Sequence, residues 1–291
     1  MANPFPSLLV TPAELDKALK NNGSSRRIIP LAAGQPSHLP SYETQHIPGS
    51  IFFNMDKIRD TASPYPQMLP SASLFAESMA ALGVRPDDIL VVYDTLEVGL
   101  YSSPRVAWMC RHFGQHDVHV LNNFPRYVTS GFPLSAGPLT PLPPSNYTVK
   151  TPEPKEVISY EELHDLLVSS DPGSYQIIDS RIAGRFSGTE SELNPSLRSG
   201  HMPSALNVPL ASILGDDKVV LPEEELKSVF QNAKVDGNRP VILTCNSGVT
   251  AAAMDLALQL TGYNMERRLY DGSWMEWTRR AQEDGLVLSS A

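Results

Sequence analysis

Two stretches of the chain open with the same polar signature and continue with the same apolar spacing. Thr11-Pro-Ala-Glu14 supplies a capping threonine, a proline at the first helical position and a reciprocating glutamate. Leu15, Ala18 and Leu19 then line one helical face. Ser159-Tyr-Glu-Glu162 repeats that signature, and Leu163, Leu166 and Leu167 repeat the face. Short apolar runs recur in the same order and read as strands: Arg27 to Leu31 and Gln176 to Asp179, Ile89 to Tyr93 and Val241 to Thr244, Val118 to Leu121 and Arg268 to Tyr270. Two of these runs lead through a turn into predicted helices, Pro104 to Phe113 before Gly114 and Thr250 to Leu260 before Gly262. The turns His46-Ile-Pro-Gly-Ser50 and His201-Met-Pro-Ser-Ala205 also correspond. All these matches lie at an offset of about 150 residues.

The pattern predicts a duplicated α/β domain, each copy a parallel sheet with helices on both faces. The expected division is residues 1–136, a proline-rich linker over 137–156, and residues 157–291. The linker core, Ser135-Ala-Gly-Pro-Leu-Thr-Pro-Leu-Pro-Pro-Ser145, has neither helical nor strand period and reads as an extended, semi-rigid spacer.

Composition narrows the classes. A hydrophobic fraction of 41% over 291 residues excludes a disordered chain, and two cysteines cannot staple a protein of this size. A net charge of −9 argues against a general grip on nucleic acid or anionic membranes. The first ten residues lack a basic segment and are broken by Pro4 and Pro6, and no arginine precedes Arg26, so the expectation is a soluble cytoplasmic protein.

The two copies differ where chemistry is expected. Strand Val241–Thr244 delivers Cys245 to the carboxyl end of a sheet strand, and the matching strand of the first copy delivers Asp94. In Cys245-Asn-Ser-Gly-Val-Thr250, Gly248 permits a tight turn and Thr250 is a candidate helix cap. Such a loop, at a helix start, turns N–H groups toward an anion and favours a reactive thiolate. A cysteine phosphatase would carry arginine where Ala251 stands, so sulfur transfer is the better match. Cys110, Trp274 and Trp277 read as core, Asp179 and Arg181 as a structural pair, and His46 and His201 as architectural, since both copies keep the histidine. His112, His116 and His119 lack the ligand pattern of a metal site, and no metal or organic cofactor is expected.

Taken together, His46-Ile-Pro-Gly, Thr61 to Pro70, Gly99 to Arg105, Asp179-Ser-Arg-Ile-Ala-Gly-Arg-Phe186, Gly200-His-Met-Pro, Cys245 to Ala251 and Tyr270-Asp-Gly-Ser-Trp-Met-Glu-Trp277 resemble the tandem rhodanese family of thiosulfate and 3-mercaptopyruvate sulfurtransferases. The resemblance implies two rhodanese domains, the first inactive and the second catalytic, and a persulfide on Cys245. It implies Arg185 as the substrate-binding arginine and Asn246, Ser247, Gly248, Val249 and Thr250 as the loop around the sulfur. Ser247 resembles the mercaptopyruvate type, and the basic residues of the thiosulfate type are absent at 246 and 247. Three positions depart from the mercaptopyruvate pattern. Asn194 stands for a second arginine, with Arg198 four residues beyond. Gln67 stands for the histidine of a relay ending at Ser247 and Asp56, and Asn246 stands for glycine. The expected partners are a small anionic sulfur donor and an acceptor that is a small thiol, a protein thiol or cyanide. The alternative is a weak persulfide carrier or a non-catalytic binding module.

Overall fold

The computed structural model describes residues 3–21, 26–150, 154–169 and 174–289, so 151–153 of the predicted linker lie outside the described residues. Among the described residues ten strands form two five-stranded sheets. The first contains β1 (Leu9–Val10), β2 (Ile28–Gly34), β3 (Ile51–Asn54), β4 (Ile89–Asp94) and β5 (Val118–Leu121), in the spatial order β1-β5-β4-β2-β3. The second contains β6 (Val157–Ile158), β7 (Gln176–Asp179), β8 (Ala205–Asn207), β9 (Val241–Thr244) and β10 (Arg267–Tyr270), in the order β6-β10-β9-β7-β8. Every pairing is parallel, and the second order is the first translated strand for strand. Both sheets switch direction of winding beside the central strand, β4 or β9, where open α/β sheets place their ligands.

By contacts the chain forms two compact units. One holds Met1–Ala62, Leu69–Glu153 and Asp216–Val219, and the other holds Ser63–Met68, Pro154–Gly215 and Val220–Ala291. Each half thus contributes one short segment to the other's unit. In the first, Asn123 Nδ2 donates to the carbonyls of Asp217 (3.1 Å) and Lys218 (3.0 Å). In the second, the Arg279 guanidinium lies over the Tyr65 ring at 5.8 Å.

The core of the first unit joins Phe5, Tyr42, Phe52, Tyr93, Phe124 and Tyr127; that of the second joins Leu163, Met202, Tyr270, Trp274 and Trp277. Both tryptophans are fully buried, as the sequence led us to expect. Both capping boxes form. The Glu14 N–H donates to Thr11 Oγ1 at 3.3 Å and the Glu162 N–H to Ser159 Oγ at 3.1 Å, and each glutamate accepts in return from its cap residue's N–H. The β2 run extends past the predicted Leu31 to Gly34 because Leu31 to Gly34 pair with β3. Pro30 is tolerated there because the β3 pairing starts one residue later.

The histidine turns are built alike in both units. His46 Nδ1 meets the Tyr42 carbonyl at 2.9 Å and its ring stacks on Tyr42; His201 Nδ1 meets the Phe186 carbonyl at 2.9 Å and stacks on Phe186. Each also makes a two-way antiparallel bridge, His46 with Ser135 and His201 with Leu288. The proline-rich segment runs along the first unit without helix or strand. Gly137 N–H donates to Glu43 O, Ser145 N–H to Ala80 O and Lys150 N–H to Phe113 O. No helix among the described residues is long and apolar enough to cross a membrane.

Gly200 occupies the His201 bridge with φ +127°, and a Cβ there would lie 2.3 Å from the Leu288 carbonyl oxygen. Gly200→Ala must therefore pull the bridge apart. We expect a loss of about 2–3 kcal/mol in chemical unfolding. A variant as stable as the parent would show that the bridge contributes nothing.

Candidate active site

The two central strands end in loops that meet the same physical demand in different ways. N–H groups that turn inward between a strand and a helix need an acceptor. In the first unit Asp94, 1% exposed, supplies it from its own side chain. Its carboxylate accepts from the N–H groups of Tyr101 (3.0 Å), Ser102 (2.6 Å) and Ser103 (3.0 Å) and from the Ser103 hydroxyl (2.5 Å).

In the second unit the corresponding side chain is the Cys245 thiol, 3% exposed. The Cys245 and Gly248 N–H groups donate to Ser273 Oγ at 3.2 and 3.0 Å. The N–H groups of Asn246, Ser247, Val249 and Thr250 have no acceptor among the described residues. Gly248 has φ +75°, the left-handed conformation that closes the turn without steric cost. The loop carbonyls are held from below, Cys245 O by the Trp274 N–H (2.9 Å) and Asn246 O by the Met275 N–H (3.0 Å). Asn246 Oδ1 is buried without a hydrogen-bond partner among the described residues.

One sequence expectation needs correction. Thr250 stands at the start of helix Ala251–Leu260, but its hydroxyl does not cap it. Oγ1 instead meets Ser180 Oγ at 2.7 Å, and Ser180 N–H donates to Thr244 O at 3.0 Å. Thr250 has φ −74° and ψ −16°, helical rather than the extended backbone of a capping residue, so its hydroxyl is not placed over its own first turn. The contact with Ser180 ties the loop after β9 to the one after β7.

Arg185 lies on the short helix Ala183–Ser187, which follows β7 at the same edge of the sheet; Asp179 and Thr244, the last residues of β7 and β9, are register partners. The Arg185 guanidinium makes no hydrogen bond to the described residues. Its Nε stands 4.0 Å from Glu192 Oε2. Glu192 also receives Arg181 Nη1 at 2.8 Å, and Arg181 Nη2 reaches Asp179 at 2.6 Å, with all three side chains at most 3% exposed. The Arg181 guanidinium further lies 3.9 Å over the Trp274 ring. The expected Asp179–Arg181 pair is thus part of a buried triad, and Glu192 is a member that the sequence reading missed. No spacing rule reaches from 181 to 192; the only sequence hint is two arginines close together in an acidic chain.

The departures from the mercaptopyruvate pattern also have structural places. Asn194 Oδ1 closes a turn by accepting from the N–H and hydroxyl of Ser196. Arg198 is committed elsewhere, its Nη2 donating to the carbonyls of Thr278 (3.1 Å) and Ala281 (2.5 Å). Gln67 is buried with φ +62° in the second unit, whereas Asp56 belongs to the first. Among the remaining candidates, Cys110 is fully buried, and burial pushes its thiol up to about 12, which makes it inert packing. His112 stacks on Trp108, His116 meets Lys150, and His119 meets the Ser7 carbonyl.

Comparison with known proteins adds the family. A Rhodanese-like domain model matches residues 159–280. The 3-mercaptopyruvate sulfurtransferase of Rattus norvegicus is 39% identical over 247 residues, covering 84% of this chain and 81% of the relative. The thiosulfate sulfurtransferase of the same organism is 40% identical over 249 residues, covering 84% and 82%. The crystal structure of the Tum1 protein from Saccharomyces cerevisiae superposes with a TM-score of 0.88 at 34% identity, covering 97% of this chain and 98% of that one.

The buried triad generates a stability test. Glu192→Ala leaves Arg181 short of one partner inside the protein and should cost about 3–5 kcal/mol in urea unfolding. A loss below about 1 kcal/mol would mean that water replaces the carboxylate there. With strand order, loop chemistry and relatives in agreement, the chain belongs to the rhodanese family of sulfurtransferases.

Proposed function

We propose that Cys245 is the nucleophile and carries the transferred sulfur as a persulfide. One observation carries this reading: the loop that presents the thiol leaves the N–H groups of Asn246, Ser247, Val249 and Thr250 without an acceptor among the described residues. Its first-unit counterpart satisfies its inward amides with Asp94. Four free amides at the edge of a helix stabilise an anionic sulfur. The Ser247 hydroxyl, half-buried and without a described partner, adds a fifth donor.

The donor we propose is 3-mercaptopyruvate in preference to thiosulfate. Ser247 and the lack of basic side chains at 246 and 247 support it. So does the commitment of Arg198, which leaves the uncommitted fork of Arg185 to take a single carboxylate with two parallel hydrogen bonds. The Cys245 thiolate attacks the mercapto sulfur. The sulfur–carbon bond breaks toward carbon, the mercapto proton ends on that carbon, and pyruvate leaves. An acceptor thiolate or cyanide then attacks the outer sulfur and restores the Cys245 thiolate.

Incubation with 3-mercaptopyruvate should add one sulfur, about 32 Da, to Cys245, and an acceptor should remove it. Cys245→Ser should abolish both events, and full turnover by that variant would end the proposal. Arg185→Ala should raise the donor KM about tenfold or more with a smaller change in kcat. For the donor itself, kcat/KM should favour 3-mercaptopyruvate. A preference of about tenfold for thiosulfate would reverse the assignment. Persulfide formation without repeated turnover would mark a sulfur carrier instead.

A further inference from the structure

Resting on the assignment of Cys245, we propose that Ser273 is a positioning residue for the sulfur-bearing loop. Its oxygen draws the Cys245 and Gly248 N–H groups down into the protein, which fixes the loop in the form that keeps the other four free.

Ser273 is fully buried and opens the helix Ser273–Arg280. Its hydroxyl donates to the Tyr270 carbonyl at 2.8 Å. That commits the one proton and leaves both lone pairs for acceptance. Those lone pairs take Cys245 N–H at 3.2 Å and Gly248 N–H at 3.0 Å. The next two residues of the same turn hold the Cys245 and Asn246 carbonyls through the Trp274 and Met275 N–H groups. One helical turn thereby fixes three residues of the loop from its inner side.

Two further observations connect this arrangement with the thiol rather than with folding alone. First, Ser273 has φ +50°. A serine in the left-handed region carries a backbone cost that glycine would avoid, and such residues persist where the surroundings over-determine them, most often at functional sites. Second, the copy with no thiol at this place is built differently. There Asp94 collects the loop amides itself. Phe124, three residues past β5 and first in its helix as Ser273 is three past β10 and first in its own, is a buried aromatic with no side-chain acceptor to offer. The brace is thus found where the loop must stay open to an added sulfur.

The test uses the full chain with 3-mercaptopyruvate as donor and compares Ser273→Gly with Ser273→Ala. Glycine relieves the left-handed backbone, so Ser273→Gly stays measurable if Ser273→Ala fails to fold. In each folded variant we expect kcat to fall about tenfold to a hundredfold while the donor KM stays within about twofold, since Arg185 is untouched. The persulfide on Cys245, followed by mass spectrometry without acceptor, should also decay faster than in the parent. A folded Ser273→Gly variant with parental kcat and persulfide lifetime overturns the proposal and leaves the role of Cys245 standing. A KM effect alone also overturns it. If the parent gains no sulfur on Cys245, both assignments fall together.

Discussion

Backbone amides that turn inward at the end of a strand must be answered, and this requirement shapes both halves of the molecule. A parallel sheet delivers its central strand into a loop whose N–H groups cannot all bond within the next helix. In the first copy the strand's own successor, Asp94, answers with a carboxylate. In the second, the successor is a thiol, and Ser273 answers for two amides only. What surrounds the site follows from that difference. The Ser180 and Thr250 hydroxyls meet, the helix Ser273–Arg280 holds the loop carbonyls, and the arginine-bearing helix leaves from the adjacent strand. The duplicated fold is therefore one scaffold with two solutions, one closed by its own side chain and one left open.

The electrostatics fit this division. The chain as a whole is acidic, so an anion must be captured by local groups. Arg181 is neutralised by Asp179 and Glu192 and stacked on Trp274, which makes it part of the framework. Arg185 shares Glu192 at longer range and makes no hydrogen bond to the described residues. A single buried carboxylate thus separates two neighbouring arginines into a structural cation and an available one.

Much of this could be read from the sequence where the information is local. Capping boxes, strand runs and the glycines that end helices depend on neighbours a few residues away, and they appear as expected. The loop after β9 was legible as a strand-to-helix connection because its residues are consecutive, and the difference between Asp94 and Cys245 could be read from the two copies. What escaped depends on groups brought together by the fold. Ser273 acts across 28 residues on Cys245, Glu192 across 11 on Arg181, and Arg198 spends its guanidinium on carbonyls about 80 residues away. The misread cap at Thr250 comes from its helical rather than extended backbone, and its hydroxyl meets Ser180, 70 residues away in the chain.

The four unanswered amides have a thermodynamic consequence. The loop holds N–H groups with no acceptor among the described residues, and any anion that satisfies them binds the folded chain but not the unfolded one. A sulfur covalently attached at that point would act as a stabilising ligand as well as cargo. On the assignment of Cys245, the resting and loaded forms then differ in resistance to heat, and each turnover moves the protein between a looser and a firmer state.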